Sequence, residues 1–176
     1  MKATDLLKQQ HRNVEAIFDH MEKAGGSAKL LDRLANDLAG HMAIEQNIFY
    51  PAVREYSEDL VAESFEEHAI AEVALKRLLR VGASHVTFEA KLATLRELIE
   101  NHVEEEEREL FPAVEDALGD EELEKLGAQM ARAFQSAMSE GFSALVPQGM
   151  SHTSADDARN ALSEAAHDGR GSHAHR

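Results

Sequence analysis

His41-Met42-Ala43-Ile44-Glu45-Gln46-Asn47-Ile48-Phe49-Tyr50-Pro51 and His102-Val103-Glu104-Glu105-Glu106-Glu107-Arg108-Glu109-Leu110-Phe111-Pro112 are two copies of one pattern. Each has a His, a Glu four residues later and a Pro that closes the motif. On a helix, which turns about 100° per residue, positions four apart lie about 40° from one another, so each His and its Glu point the same way, one turn apart. The duplication reaches further back along the chain. His11 precedes His41, and His68 precedes His102, by similar intervals, so that one His recurs on each of four segments.

These segments read as helices. Leu7, Val14, Phe18 and Met21 recur at helical period up to the stop at Gly25 and Gly26; Ser27 can cap a second segment carrying Leu30, Leu34, Leu38, Ile44 and Ile48 to about Glu55. Ser57 can start a third, with Val61, Phe65, Leu75 and Leu79, that stops at Gly82. A fourth runs from near Ser84 through Leu92, Leu95 and Ile99 to about Leu118, and Pro51 and Pro112 predict kinks in the second and fourth. Short connections between helices of similar length predict an all-α, up-down-up-down four-helix bundle over about 4–118. Asp120 is expected to cap an accessory helix over about 120–140 carrying Leu123, Leu126, Met130, Phe134 and Met138, completing a domain over 1–142. From 143 to 176 the chain turns to Ser, Ala, Gly, Asp and His, and a low-complexity, flexible tail is expected.

Composition excludes several functions. A net charge of −15 repels phosphate backbones, so neither nucleic acid nor anionic lipid is an expected partner. Without Cys there is no disulfide, thiolate metal site or Cys nucleophile. The start of the chain lacks a signal-peptide core, and no run approaches the roughly 20 apolar residues of a membrane span; a cytoplasmic protein is expected.

The four histidines and the two motif glutamates project from the apolar stripes that should face the core. Burying carboxylates without partners costs several kcal/mol each, and no Lys or Arg lies on these stripes near the motif. A metal supplies the missing charge. Four imidazoles with two carboxylates suit iron, and two ions are the natural number because each Glu can bridge with its two oxygens. The metal positions left open would take a small ligand: dioxygen, peroxide or nitric oxide.

Taken singly, a His on an apolar face is more often a satisfied core residue, and one His-x-x-x-Glu is common as a surface pair. Four histidines in duplicated register reverse that reading. Ferritin-like di-iron proteins would carry Glu-x-x-His pairs on two helices, a spacing that none of the four repeated histidines shows. His20 and His85 fall outside the repeat, and His152, His167, His173 and His175 belong to the expected tail. Tyr50 lies about 180° from His41 on an ideal helix and is not counted with the site.

On these residues the sequence resembles the hemerythrin-like family, specifically the bacterial His-His-Glu (HHE) cation-binding domains, over roughly 4–118. The resemblance implies a pair of non-haem iron ions, carboxylate- and oxo/hydroxo-bridged, with His11, His41, His68 and His102 as terminal ligands and Glu45 and Glu106 as bridges. The family's oxygen carriers have a further His four residues after the third-helix His and an Asp five after the last. Here those positions are Glu72 and Glu107, which points away from reversible oxygen carriage. Glu15 and Glu72 each follow a His by four residues and are candidates to accept an imidazole N–H or relay protons. The expected function is binding of, and reaction with, dioxygen, peroxide or nitric oxide under oxidative or nitrosative stress. The alternatives are a non-catalytic oxygen or iron store and a redox-dependent regulatory bundle, and turnover separates the first reading from the second.

Overall fold

The computed structural model describes residues 1–140; the expected tail lies outside them. Helix α1 spans Ala3–Ala24 and α2 Ala28–Ile44. The second helix continues through a π-helical segment, Glu45–Phe49, into α3, Tyr50–Val53, and a 3-10 turn, Arg54–Tyr56. Helix α4 covers Glu58–Val81 and α5 Phe88–Glu105, the latter continuing through a second π segment, Glu106–Leu110, into α6, Phe111–Ala117. Helix α7 spans Asp120–Glu140. The Ser27 hydroxyl caps α2 as expected, accepting from the Leu30 N–H at 3.2 Å. Helix α5 starts four residues later than Ser84, because His85 and Thr87 are engaged in a tight turn, with His85 Nδ1 2.9 Å from the Thr87 hydroxyl and the Phe88 N–H donating to the His85 carbonyl.

Two apolar blocks reveal the topology. One gathers Val14, Phe18, Leu34, Leu38, Leu75 and Leu95; the other gathers Leu7, Ile44, Phe49, Val61, Leu110 and Phe111. Followed along the chain, α1 passes from the second block to the first, the α2–α3 rod returns, α4 passes again from second to first, and the α5–α6 rod returns. This alternation is the up-down-up-down bundle, with α1 beside α2 and α5, and α4 beside α5 and α2. On every helix the motif His falls between the two blocks. A polar layer is thereby enclosed by apolar layers on both sides.

Helix α7 packs on α1 and α2 and puts Leu123 and Met130, both wholly buried, into the second block. Gly127 makes that approach possible: a Cβ there would lie 2.5 Å from the Met1 carbonyl oxygen and 2.9 Å from the Ala3 nitrogen. No helix among the described residues is long and apolar enough to cross a membrane.

Candidate metal centre

The polar layer consists of His11 from α1, His41 from α2, Glu45 and Glu106 from the π segments, His68 from α4 and His102 from α5, all buried. His41 Nε2 lies 3.1 Å and His68 Nε2 3.3 Å from Glu45 Oε2. His11 Nε2 lies 3.5 Å and His102 Nε2 3.6 Å from Glu106 Oε2. The donor atoms form two groups, each within 4.8 Å: His11, His41, Glu45 and Glu106, and Glu45, His68 and His102. Glu45 belongs to both. The structure thus brings together all six residues singled out in the sequence.

Glu45 and Glu106 each open a π turn, and the closing prolines explain why. Pro51 and Pro112 have no N–H to give, and their rings would strike the carbonyl four residues back in an ordinary helix. The widened turn removes the conflict, with the Tyr50 N–H reaching the Glu45 carbonyl and the Phe111 N–H the Glu106 carbonyl, five residues back. A π turn also rotates less per residue than an α turn. Tyr50 is therefore not carried to the far side of the helix, as ideal geometry requires, but is fully buried with its hydroxyl donating to Glu106 Oε1 at 2.8 Å and 3.2 Å from His68 Nε2. Tyr50, which ideal helix geometry places apart from His41, thus lies within the histidine layer. Its counterpart in the repeat, Phe111, stacks on His11 at 5.9 Å between ring centroids. The residue before each Pro thus abuts a histidine, a regularity present in the repeat itself.

Each imidazole is held by its outer nitrogen. His41 Nδ1–H donates to Gln10 Oε1 at 2.9 Å, His102 Nδ1–H to Glu67 Oε2 at 2.7 Å and His11 Nδ1–H to Glu107 Oε1 at 2.9 Å; the Gln46 amide lies 3.3 Å from His68 Nδ1. Gln10 and Glu67 directly precede the first histidine of each hairpin, and Gln46 and Glu107 directly follow the motif glutamates. Each reaches across to a neighbouring helix. Glu15 and Glu72, whose spacing suggests this role, lie elsewhere: Glu15 is exposed and pairs with Arg12 at 3.3 Å, and Glu72 pairs with Lys76 one turn along α4. Four residues after an α1 or α4 histidine, a side chain leaves along its own helix. One residue before, it turns toward the adjacent helix.

Electrostatics follow from burial. Burial, reinforced by neighbouring imidazoles, holds His41 well below the usual histidine range and His68 at about 3, so both are neutral. Burial and the nearby Glu106 push Glu45 well above the ordinary carboxylate range. Burial also opposes ionisation of Glu106, but His102 and His11 outweigh it and hold that carboxyl low. Among the described residues, neither Glu45 oxygen, nor Glu106 Oε2, nor His11 Nε2 has a hydrogen-bond partner. Such buried atoms are costly unless something binds them. Imidazole nitrogens facing inward with their Nδ1 sides anchored, beside unpartnered carboxylate oxygens, are what a metal ion requires.

Residues 2–114 match the family model of the hemerythrin HHE cation binding domain, and the chain belongs to that family. It resembles a solved hemerythrin HHE cation binding domain-containing protein from Mycobacterium kansasii with a TM-score of 0.73 and 28% identity, covering 85% of this chain and 94% of that one. An uncharacterised protein of Mycobacterium tuberculosis is 28% identical over 136 residues, 74% of this chain and 84% of the relative. A DNA nickase of Nostoc sp. is 26% identical over 137 residues; the match takes in 76% of this chain but 39% of that protein's length.

Proposed function

We propose that this HHE domain holds two non-haem iron ions, with His11, His41, His68 and His102 as terminal ligands and Glu45 and Glu106 between the ions, and that it binds and reacts with dioxygen, peroxide or nitric oxide in an oxidative or nitrosative stress response. The observation that carries the reading is the sharing of Glu45 between two groups of donor atoms. Bound iron would supply the change of redox state and the open positions for the small ligand. The chain's own part is to hold those ions and shield them. Gln10, Glu67 and Glu107 fix three imidazole planes, leaving the Nε2 lone pairs directed inward. The Tyr50 hydroxyl offers a hydrogen-bond donor beside Glu106 and His68. The apolar blocks exclude bulk water from above and below.

The family relationship supports cation binding, and the all-His/Glu donor set favours iron over softer-ligand metals. A cytoplasmic setting and the absence of a nucleic-acid or membrane partner belong to the same proposal, resting on the net charge of −15 and the lack of Cys. DNA nicking by the Nostoc relative is not carried over, since an acidic surface repels phosphate.

Metal content and the optical spectrum of protein from iron-supplemented cells, before and after peroxide, test the proposal. Two irons per chain with charge-transfer bands that respond to peroxide are expected; no iron, or a single zinc, would overturn it. His102→Ala should empty or halve the metal content and His175→Ala leave it unchanged.

A further inference from the structure

Helix α4 packs on α2 and α5 and leaves an outward face uncovered among the described residues. On that face Glu63, Glu66, Ile70, Val73, Arg77 and Arg80, all exposed, follow one another at alternating steps of three and four residues, the spacing of a coiled-coil seam. Ile70 and Val73, each 55% exposed, sit at its middle, with the acidic residues on the N-terminal side and the basic ones on the C-terminal side. The helix dipole accounts for Glu58 and Asp59 in the first turn of α4 and for Arg80 in the last, but it fades within a turn of either end and leaves Glu63, Glu66 and Arg77 without a reason. Nor are these charges used within the chain. Arg12, Arg33, Arg54, Arg96 and Arg108 all pair with carboxylates, whereas among the described residues Glu63, Glu66, Arg77 and Arg80 form no ion pair.

We propose that this stripe is the contact between two copies of the chain, joined α4 to α4 in antiparallel orientation about a two-fold axis that passes between Ile70 and Val73. Positions equidistant from that midpoint then face each other: Ile70 meets the partner's Val73, Glu66 the partner's Arg77 and Glu63 the partner's Arg80, each pair occurring twice by symmetry. Every position on the stripe finds an apolar or oppositely charged counterpart. A parallel pairing in register would set Glu on Glu and Arg on Arg, which like-charge repulsion disfavours. Exposed ion pairs add little energy each; they fix orientation and register, while the apolar side chains supply the attraction. Two copies of a chain carrying −15 repel over most of their surface, but on this stripe two acidic side chains are balanced by two basic ones. With two apolar residues from each copy the contact is small, which makes the dimer reversible and concentration-dependent rather than obligate.

Sedimentation of the full chain over a rising concentration series, with circular dichroism on every variant, tests the contact. The wild type should pass reversibly from monomer to dimer. Arg77→Glu places a carboxylate opposite the partner's Glu66, and Glu66→Arg places a guanidinium opposite the partner's Arg77, so each should raise the dimer Kd tenfold or more. Both positions are exposed, and helix content should stay as in the wild type. Mixed one to one, the two variants should associate with each other about as tightly as two wild-type copies, because one then offers arginine at both positions and the other glutamate at both. The double variant, Glu66→Arg with Arg77→Glu, should likewise regain the wild-type Kd. A chain that stays monomeric at every concentration, single variants that dimerise like the wild type, or single variants that fail to pair with each other would each overturn the proposal.

Discussion

Gln10, Gln46, Glu67 and Glu107 divide the work of holding four imidazoles, two as amides from the first hairpin and two as carboxylates from the second. Within each group of donor atoms one histidine is anchored by an amide and the other by a carboxylate. Removing an anchor frees the ring and the tautomer without removing the ligand. Glu67→Ala is expected to weaken metal retention roughly 10- to 100-fold in competition with a chelator, whereas Glu15→Ala should change nothing measurable. Equal effects would show that these anchors are incidental. Tyr50→Phe removes a hydroxyl that donates to Glu106, and should shift the optical bands of the iron-loaded protein while the fold stays intact by circular dichroism. Glu45 supplies a pH dependence. Because burial and Glu106 raise its carboxyl, the metal-free chain keeps that proton at pH values where an ordinary glutamate has lost it. Metal uptake must expel the proton, so affinity should rise with pH above 4.5 for as long as Glu45 stays protonated, and titration calorimetry in buffers of different ionisation enthalpy should detect proton release.

At the scale of the element, the two π turns decide what the histidine layer can contain. Each adds one residue to a turn, accommodates a proline and sets the face of the following segment. Phe49, Tyr50 and Val53 are all fully buried after the first. Deleting Asn47, which is exposed, would close the π turn into an α turn, leaving the segment beyond it on nearly its present face but setting the Pro51 ring against the carbonyl four residues back. The expected result is loss of metal and a lower thermal midpoint. Unchanged metal content would mean that the π turn is dispensable.

For the whole molecule, the histidine layer depends on both apolar blocks and on α7, which covers one of them. At Gly127, α7 lies directly against the backbone at the start of α1. In an exposed helix, replacing Gly by a larger helix former gains up to about 1 kcal/mol. Here the added side chain meets backbone, which cannot rotate away. Gly127→Leu should therefore lower the thermal midpoint, and a rise would show that the start of α1 gives way freely.

The all-helical class, the order of the bundle and the burial of six His and Glu side chains in one layer were legible in the sequence, because a duplicated His-x-x-x-Glu on apolar stripes leaves few ways to bury its charge. The cap at Ser27 was legible for the same local reason. Tyr50 and the four imidazole anchors were decided by tertiary structure. An ideal helix turned Tyr50 away from the core, and only the π turn, which relieves a clash created by Pro51, brings it back. Gln10, Gln46, Glu67 and Glu107 act on rings belonging to other helices, so their roles depend on how those helices are juxtaposed. Periodicity along one helix tells which way a side chain points; only the packed bundle decides what it meets there.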